Sequence, residues 1–285
     1  MLVLVLNGFD DMDKTASEVK VKTQSKTIQL HGKGLLSKGE VNVSISKLEN
    51  GSGIVFILNN EKIYCDVQNV LNANRNTVLT NGKESICLVE HFLAACSLLG
   101  VNDIEVITDK NELIFGDGSA LHWQESFLNT GFLSSISQKR KINKPIFIKN
   151  GDKEIVAIPH DGFKVSYFMD YDHPALSKLW ASWELSEGKD THTCLLRART
   201  FAKKEENDFF GASDWLLTFD ENGFNKKLHE PLEPVHHKIL DIIGDIRLCG
   251  VNPLEINMHV IGFKSGHALN VEMARELSHS LQHLS

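Results

Sequence analysis

No two cysteines in these 285 residues stand in a CxxC pair, and the five present, Cys65, Cys87, Cys96, Cys194 and Cys249, are scattered and odd in number. That pattern argues against a disulfide framework and against a thiolate zinc site. It fits a reducing cytosol in which each thiol packs as a small buried hydrophobe. Basic charge is also scarce: 30 Lys and Arg face 37 Asp and Glu, a formal net charge of −7. A nucleic-acid partner is therefore not expected, because such proteins carry a basic surplus on one face. An anionic small substrate stays admissible, since a few lysines in a cleft set the local potential. No apolar run approaches the roughly 18 residues of a membrane helix, so no integral membrane segment is expected. The opening run, Met1 to Leu6, is short, has no basic residue before it and is soon followed by Asp10, Asp11 and Asp13. It does not read as a secretory signal. The expectation is a soluble cytoplasmic monomer.

What is present is ordinary globular material, 42% hydrophobic and 24% charged, enough to build one large core or two of medium size. Glu40–Ser46 alternates apolar and polar residues as a half-buried strand does, and Gly53–Leu58 is a more buried run. Ser85–Leu99 reads as a helix stopped by Gly100. A strand at Asp103–Thr108, a Gly116–Gly118 turn and a helix through Leu128 follow. After a polar, basic linker at Ser134–Lys144 the order returns. Strands are expected at Pro145–Lys149, Lys153–Ile158 and Phe163–Tyr167, then a helix at Glu233–Cys249 stopped by Gly250. A strand at Glu255–Phe263, a turn at Gly266 and a terminal helix from about Asn270 complete the chain. The pattern predicts an α+β protein of two similar domains, residues 1–137 and 138–285, each a β-sheet layered with helices. Identity between the halves is too weak to establish a repeat from sequence alone.

The helix around Pro234–Ile246 carries the clearest chemical signal. At about 100° per residue, Val235, Ile239, Ile242 and Ile246 form one core-facing stripe. His237, Asp241 and Asp245 form an i, i+4, i+8 row elsewhere, with Gly244 beside it leaving space. Lys and Glu would serve a solvated face better. An i, i+4 His/Asp pair can share one metal ion, although a solvated polar face with an accidental histidine would look the same. A catalytic zinc site needs a third ligand and an open fourth position. Glu90–His91, on an otherwise apolar helix, is the natural source, and a buried Glu90 beside a metal could act as general base. Taken alone, Glu90 and His91 read more simply as a pair at the helix boundary. His267 stands in the turn Gly262–Asn270 and can project into a cleft, or belong to a capping loop with Ser265 and Asn270.

Three segments together resemble one family. Leu88-Val89-Glu90-His91 with Ala94-Ala95, His237-Lys238-Ile239-Leu240-Asp241-Ile242-Ile243-Gly244-Asp245, and Lys264-Ser265-Gly266-His267 are similar to the signature segments of the UDP-3-O-acyl-N-acetylglucosamine deacetylases. Those are zinc enzymes of lipid A biosynthesis. Gly116-Asp117-Gly118-Ser119-Ala120, Asp172-His173-Pro174-Ala175 and Arg197-Ala198-Arg199-Thr200-Phe201 add to the match, in family order, from about residue 21 to the C-terminus.

The resemblance implies a β-α-α-β sandwich with the active site between two domains. It carries the metal ligands onto His91, His237 and Asp241, for Zn2+, with Fe2+ also suited to two His and one Asp. Glu90 becomes the general base. His267 becomes the cation that stabilises the oxyanion and protonates the leaving amine, oriented by Asp245. Thr200 would hydrogen-bond the tetrahedral intermediate. Lys238, Phe201 and Lys264 would meet the substrate, a UDP-linked acylated amino sugar whose acyl chain needs an apolar passage. The sequence departs from the family pattern at Leu36, where a His is usual, at Cys87-Leu88, where Ser-Thr is common, and at Ala212, where a Gly is usual. Residues 1–20 have no recognised counterpart. Two alternatives stand beside the deacetylase: a divergent paralogue, acting on another acylated amino sugar or catalytically weakened, and a non-catalytic zinc-stabilised interaction protein with a closed four-ligand site.

Overall fold

Every second residue of the Glu40–Lys47 segment is an apolar side chain driven inward, and the same alternation builds most of two sheets. The computed structural model describes residues 19–24, 27–128, 130–186, 192–206 and 216–282. The N-terminal run and Ala212 lie outside them. In the first half the strands are β1 (Lys20–Gln24), β2 (Thr27–Lys33), β3 (Glu40–Lys47), β4 (Ile54–Leu58) and β5 (Glu61–Tyr64). A small sheet of β6 (Val70–Asn72), β7 (Val78–Thr80) and β8 (Ser85–Cys87) precedes helix α1 (Glu90–Leu98), strand β9 (Ile104–Thr108) and helix α2 (Leu121–Phe127).

The second half contains β10 (Arg140–Lys141), β11 (Ile146–Asn150), β12 (Lys153–Pro159), β13 (Phe163–Met169) and β14 (Leu179–Glu184). Helix α3 (Thr193–Leu196) and a three-stranded sheet, β15 (Phe201–Lys203), β16 (Leu217–Asp220) and β17 (Gly223–Phe224), follow. Helix α4 (Glu233–Ile246), strand β18 (Ile256–Phe263) and helix α5 (His267–Gln282) close the described chain.

The two large sheets share one topology. Their orders are β1-β2-β3-β9-β4-β5 and β11-β12-β18-β13-β14. In each, the late strand enters the middle, antiparallel to one neighbour (β3 or β12) and parallel to the other (β4 or β13). A helix precedes and follows each inserted strand, so the duplication too faint to establish from residue identity is plain in the chain path. The layers follow from contacts. Phe92 of α1 meets Phe56 of β4 edge-on at 5.8 Å, α1 packs on α4, and α4 packs on β13. One apolar core runs through all of them.

Several element boundaries differ from expectation. Ser85–Cys87 is a strand paired with β7, not the first turn of a helix, because cross-strand bonds satisfy its backbone. Leu88 then takes φ +60° and turns the chain into α1. The last three residues expected in the Glu233–Cys249 helix tighten into a 3₁₀ turn before Gly250 at φ 94°. Helix α5 starts at His267, three residues before the expected Asn270. Within the linker, β10 pairs in parallel with β18.

Gly244 does not leave open space. A Cβ there would stand 2.0 Å from the Glu90 carbonyl oxygen, so the bare glycine is what lets α4 touch the backbone of α1.

Candidate active site

The contact at Gly244 brings the start of α1 over one face of α4. His91, the second residue of α1, thereby meets His237 and Asp241, one helical turn apart on α4. His91 Nε2 lies 3.4 Å and His237 Nε2 3.6 Å from Asp241 Oδ1. One donor atom from each of the three residues lies within 4.8 Å of the others. Both separations exceed a good hydrogen bond, about 2.7–3.2 Å. They match the edge of a tetrahedron with bonds of about 2.0–2.1 Å, which is about 3.3 Å. Asp241 Oδ1 is buried with no hydrogen-bond partner. An orphaned carboxylate oxygen facing two imidazoles fits a divalent cation and fits poorly with an ordinary ion pair.

The electrostatics run the same way. Burial holds His237 well below the usual imidazole range, in the neutral form that ligates metals. Burial opposes ionisation of Asp241, but the Lys238 ammonium and the His267 imidazolium, with the His237 and His91 rings beside it, outweigh that and hold the carboxyl well below its usual range. Asp241 Oδ2 accepts a hydrogen bond from Lys238 Nζ at 2.7 Å, leaving Oδ1 for the cluster. The Phe201 ring stands 5.4 Å from the His237 ring, with Lys238 Nζ 5.9 Å from its centre.

A second network backs the first. Glu90, 6% exposed, accepts the Thr77 backbone N–H through Oε2 at 3.1 Å. The Thr77 hydroxyl donates to Asp245 Oδ1 at 2.6 Å, and Asp245 Oδ2 binds His267 Nδ1 at 2.8 Å and the Asn270 amide at 2.9 Å. Burial raises the Glu90 carboxyl above its usual range. Burial alone would depress His267, but Asp245, Asp241 and Glu90 prevail and push it up to about 9. Its Nε2 sits 3.9 Å from Asp241 Oδ2, facing the donor cluster. A carboxyl ready to hold a proton and an imidazolium ready to give one therefore flank the same three donors. The chain enters this site under strain: a leucine at φ +60° costs about 1–3 kcal/mol, and Leu88 is two residues before Glu90.

The remaining residues singled out in the sequence are placed differently. Thr200 donates its hydroxyl to the Gly118 carbonyl at 3.1 Å, and its N–H binds the same oxygen. Lys264 pairs with Asp152 rather than with the His/Asp cluster. Leu36 is 41% exposed; its N–H and that of Ser37 are both held by the fully buried carboxylate of Glu112, at 2.8 and 2.6 Å. Nothing in the sequence marks Thr77 or Glu112, and Asn270 is weighed there only as a possible cap. The same holds for Glu233, unmarked in the sequence, which grips Arg199 with two bonds of 2.7 and 3.0 Å and so fixes the strand leading to Phe201. No periodicity marks any of them.

Residues 21–279 match the profile of the LpxC family, described as UDP-3-O-acyl N-acetylglycosamine deacetylase. A protein of Trichormus variabilis named UDP-3-O-acyl-N-acetylglucosamine deacetylase is 30% identical over 278 residues, 91% of this chain and 98% of its own length. Proteins of the same name from Leptospira biflexa and Pseudomonas entomophila are 29% and 30% identical. They cover 89% and 91% of this chain, and 88% and 90% of their own lengths.

Proposed function

Because this chain belongs to the UDP-3-O-acyl N-acetylglycosamine deacetylase family, we propose that it hydrolyses the N-acetyl amide of UDP-3-O-acyl-N-acetylglucosamine, releasing acetate, in lipid A biosynthesis. The observation that carries the reading is the meeting of His91, His237 and the unbonded Asp241 oxygen beside Glu90 and His267. His91, His237 and Asp241 would hold a zinc ion, or iron(II). When bound, the ion polarises the amide carbonyl and acidifies water. Glu90, with a carboxyl raised by burial, takes the proton of the attacking water. His267, kept cationic by Asp245 and Asp241, stabilises the oxyanion and then delivers a proton to the departing amine. Asp245 holds that imidazole in place while Thr77 and Asn270 hold Asp245.

Lys238 and Phe201, together beside His237, are suited to meet the sugar, and Thr200 directly precedes Phe201 in the chain. Lys264 reaches substrate only by exchanging its Asp152 partner for the anionic ligand. A small apolar cluster of Leu35, Phe115 and Leu216, with Leu88 and Ala202 packed on it, joins loops of the first half to the Phe201 strand. It supplies apolar wall for a 3-O-acyl chain. The same reading puts the reaction in the cytoplasm, in a monomer of two domains divided after residue 137.

The test is acetate release from UDP-3-O-acyl-N-acetylglucosamine by protein treated with a chelator and then resupplied with zinc or iron(II). Loss and recovery of turnover are expected. Turnover that is indifferent to the chelator contradicts the metal assignment. No turnover of this substrate, alongside turnover of a different acylated amino sugar, makes the chain a paralogue of altered specificity.

A further inference from the structure

Among the described residues, a second group gathers three kinds of metal ligand. Cys194 of α3, Glu230 just ahead of α4 and His236 in the first turn of α4 bring one donor atom each to within 4.8 Å of the others. All three are partly buried, which sets Cys194 apart from the buried thiols Cys87, Cys96 and Cys249. Cys194 and Glu230 also line a cavity of about 220 Å³, with Thr193, Arg197, His229 and Glu233 around it. We propose that Cys194, Glu230 and His236 form a second metal-ion site for a divalent ion of the zinc class, separate from the His91–His237–Asp241 centre.

The donor set selects the ion. A thiolate disfavours calcium and magnesium, which take oxygen ligands, whereas sulfur, imidazole and carboxylate together suit zinc. His236 Nδ1 is bonded to Glu230 Oε1 at 2.6 Å. The two atoms already face each other, so an ion that replaces the proton they share is met by Nδ1 and a Glu230 oxygen together. Water from the cavity completes a four-coordinate shell.

The location gives the ion a role. It would brace α3 to the first turn of α4. The α3 segment runs on into Arg199, Thr200 and Phe201, and α4 carries His237 and Asp241, so the brace would stiffen the mounting of the reaction centre without touching substrate. The Arg199–Glu233 pair already ties the same two segments. This inference stands whether or not the proposed reaction is correct.

Cobalt(II) titration of the whole, chelator-stripped protein tests it. The His91–His237–Asp241 centre contains no sulfur, so a near-ultraviolet thiolate-to-cobalt band reports the second site alone. The wild type is expected to bind two equivalents, one of them with the band, and Cys194→Ser to bind one equivalent without it. Even losing a group behind a ligand costs about 10–100-fold in metal affinity, so His236→Gln is expected to lose at least ~10-fold for the band-forming equivalent. A wild type without the band overturns the proposal. So does a band that survives Cys194→Ser, or an unchanged affinity in His236→Gln.

Discussion

The side chains of the site have sharply different neighbourhoods, and those decide their chemistry. Glu90 and His267 are both buried, yet burial raises the first while three carboxylates outweigh burial at the second. In the proposed reaction, His267→Ala removes a charged donor from where negative charge develops. Its turnover is expected to fall about 10²–10³-fold with little change in KM. Steady-state kinetics check this, and an unchanged kcat contradicts the role. The His237/Asp241 pair was legible in the sequence because helical spacing puts i and i+4 on one face and because His, Asp and Gly are poor choices for a solvated one. Thr77 was not legible, since its hydroxyl meets a carboxylate 168 positions away and nothing local marks it.

At the scale of elements, the site exists because two helices touch. With a Cβ at Gly244 placed 2.0 Å from a backbone oxygen, no flexible side chain can give way. Gly244→Ala must push α1 from α4, at a cost of about 1–3 kcal/mol for the overpacked contact. Since α1 carries His91, the same change is expected to weaken metal retention. Denaturant unfolding and metal analysis read the two effects, and a variant normal in both contradicts the account. Most strands were legible from their alternation. The Ser85–Cys87 strand was not, because three apolar-leaning residues next to a helix carry no period of their own and only the pairing with β7 settles their state.

For the molecule as a whole, two copies of one chain path supply complementary parts. The first provides Glu90 and His91, the second His237, Asp241, Asp245 and His267. Topology preserves the duplication because strand order is fixed by layering, while side chains at either half's interface are free to diverge. Stability should also respond to pH through histidines kept neutral by the fold. Burial, then Lys164 and His160, push His259 down to about 4 from an ordinary 6.5. The unfolded chain therefore binds a proton there before the folded one does. That contribution is intact above about pH 6.5 and is lost as the pH falls toward 4. The melting temperature of the wild type is expected to drop between pH 7 and 5, and to drop less in His259→Gln. Equal slopes would contradict the assignment.

The proposed grip of one ion by His91, His237 and Asp241 can be read directly by X-ray absorption at the zinc edge, using the Cys194→Ser protein so that no second site contributes. Two imidazoles and a carboxylate oxygen predict a shell of nitrogen and oxygen alone at about 2.0–2.1 Å, with imidazole scattering beyond it. Sulfur near 2.3 Å, or a shell without imidazole, would contradict it.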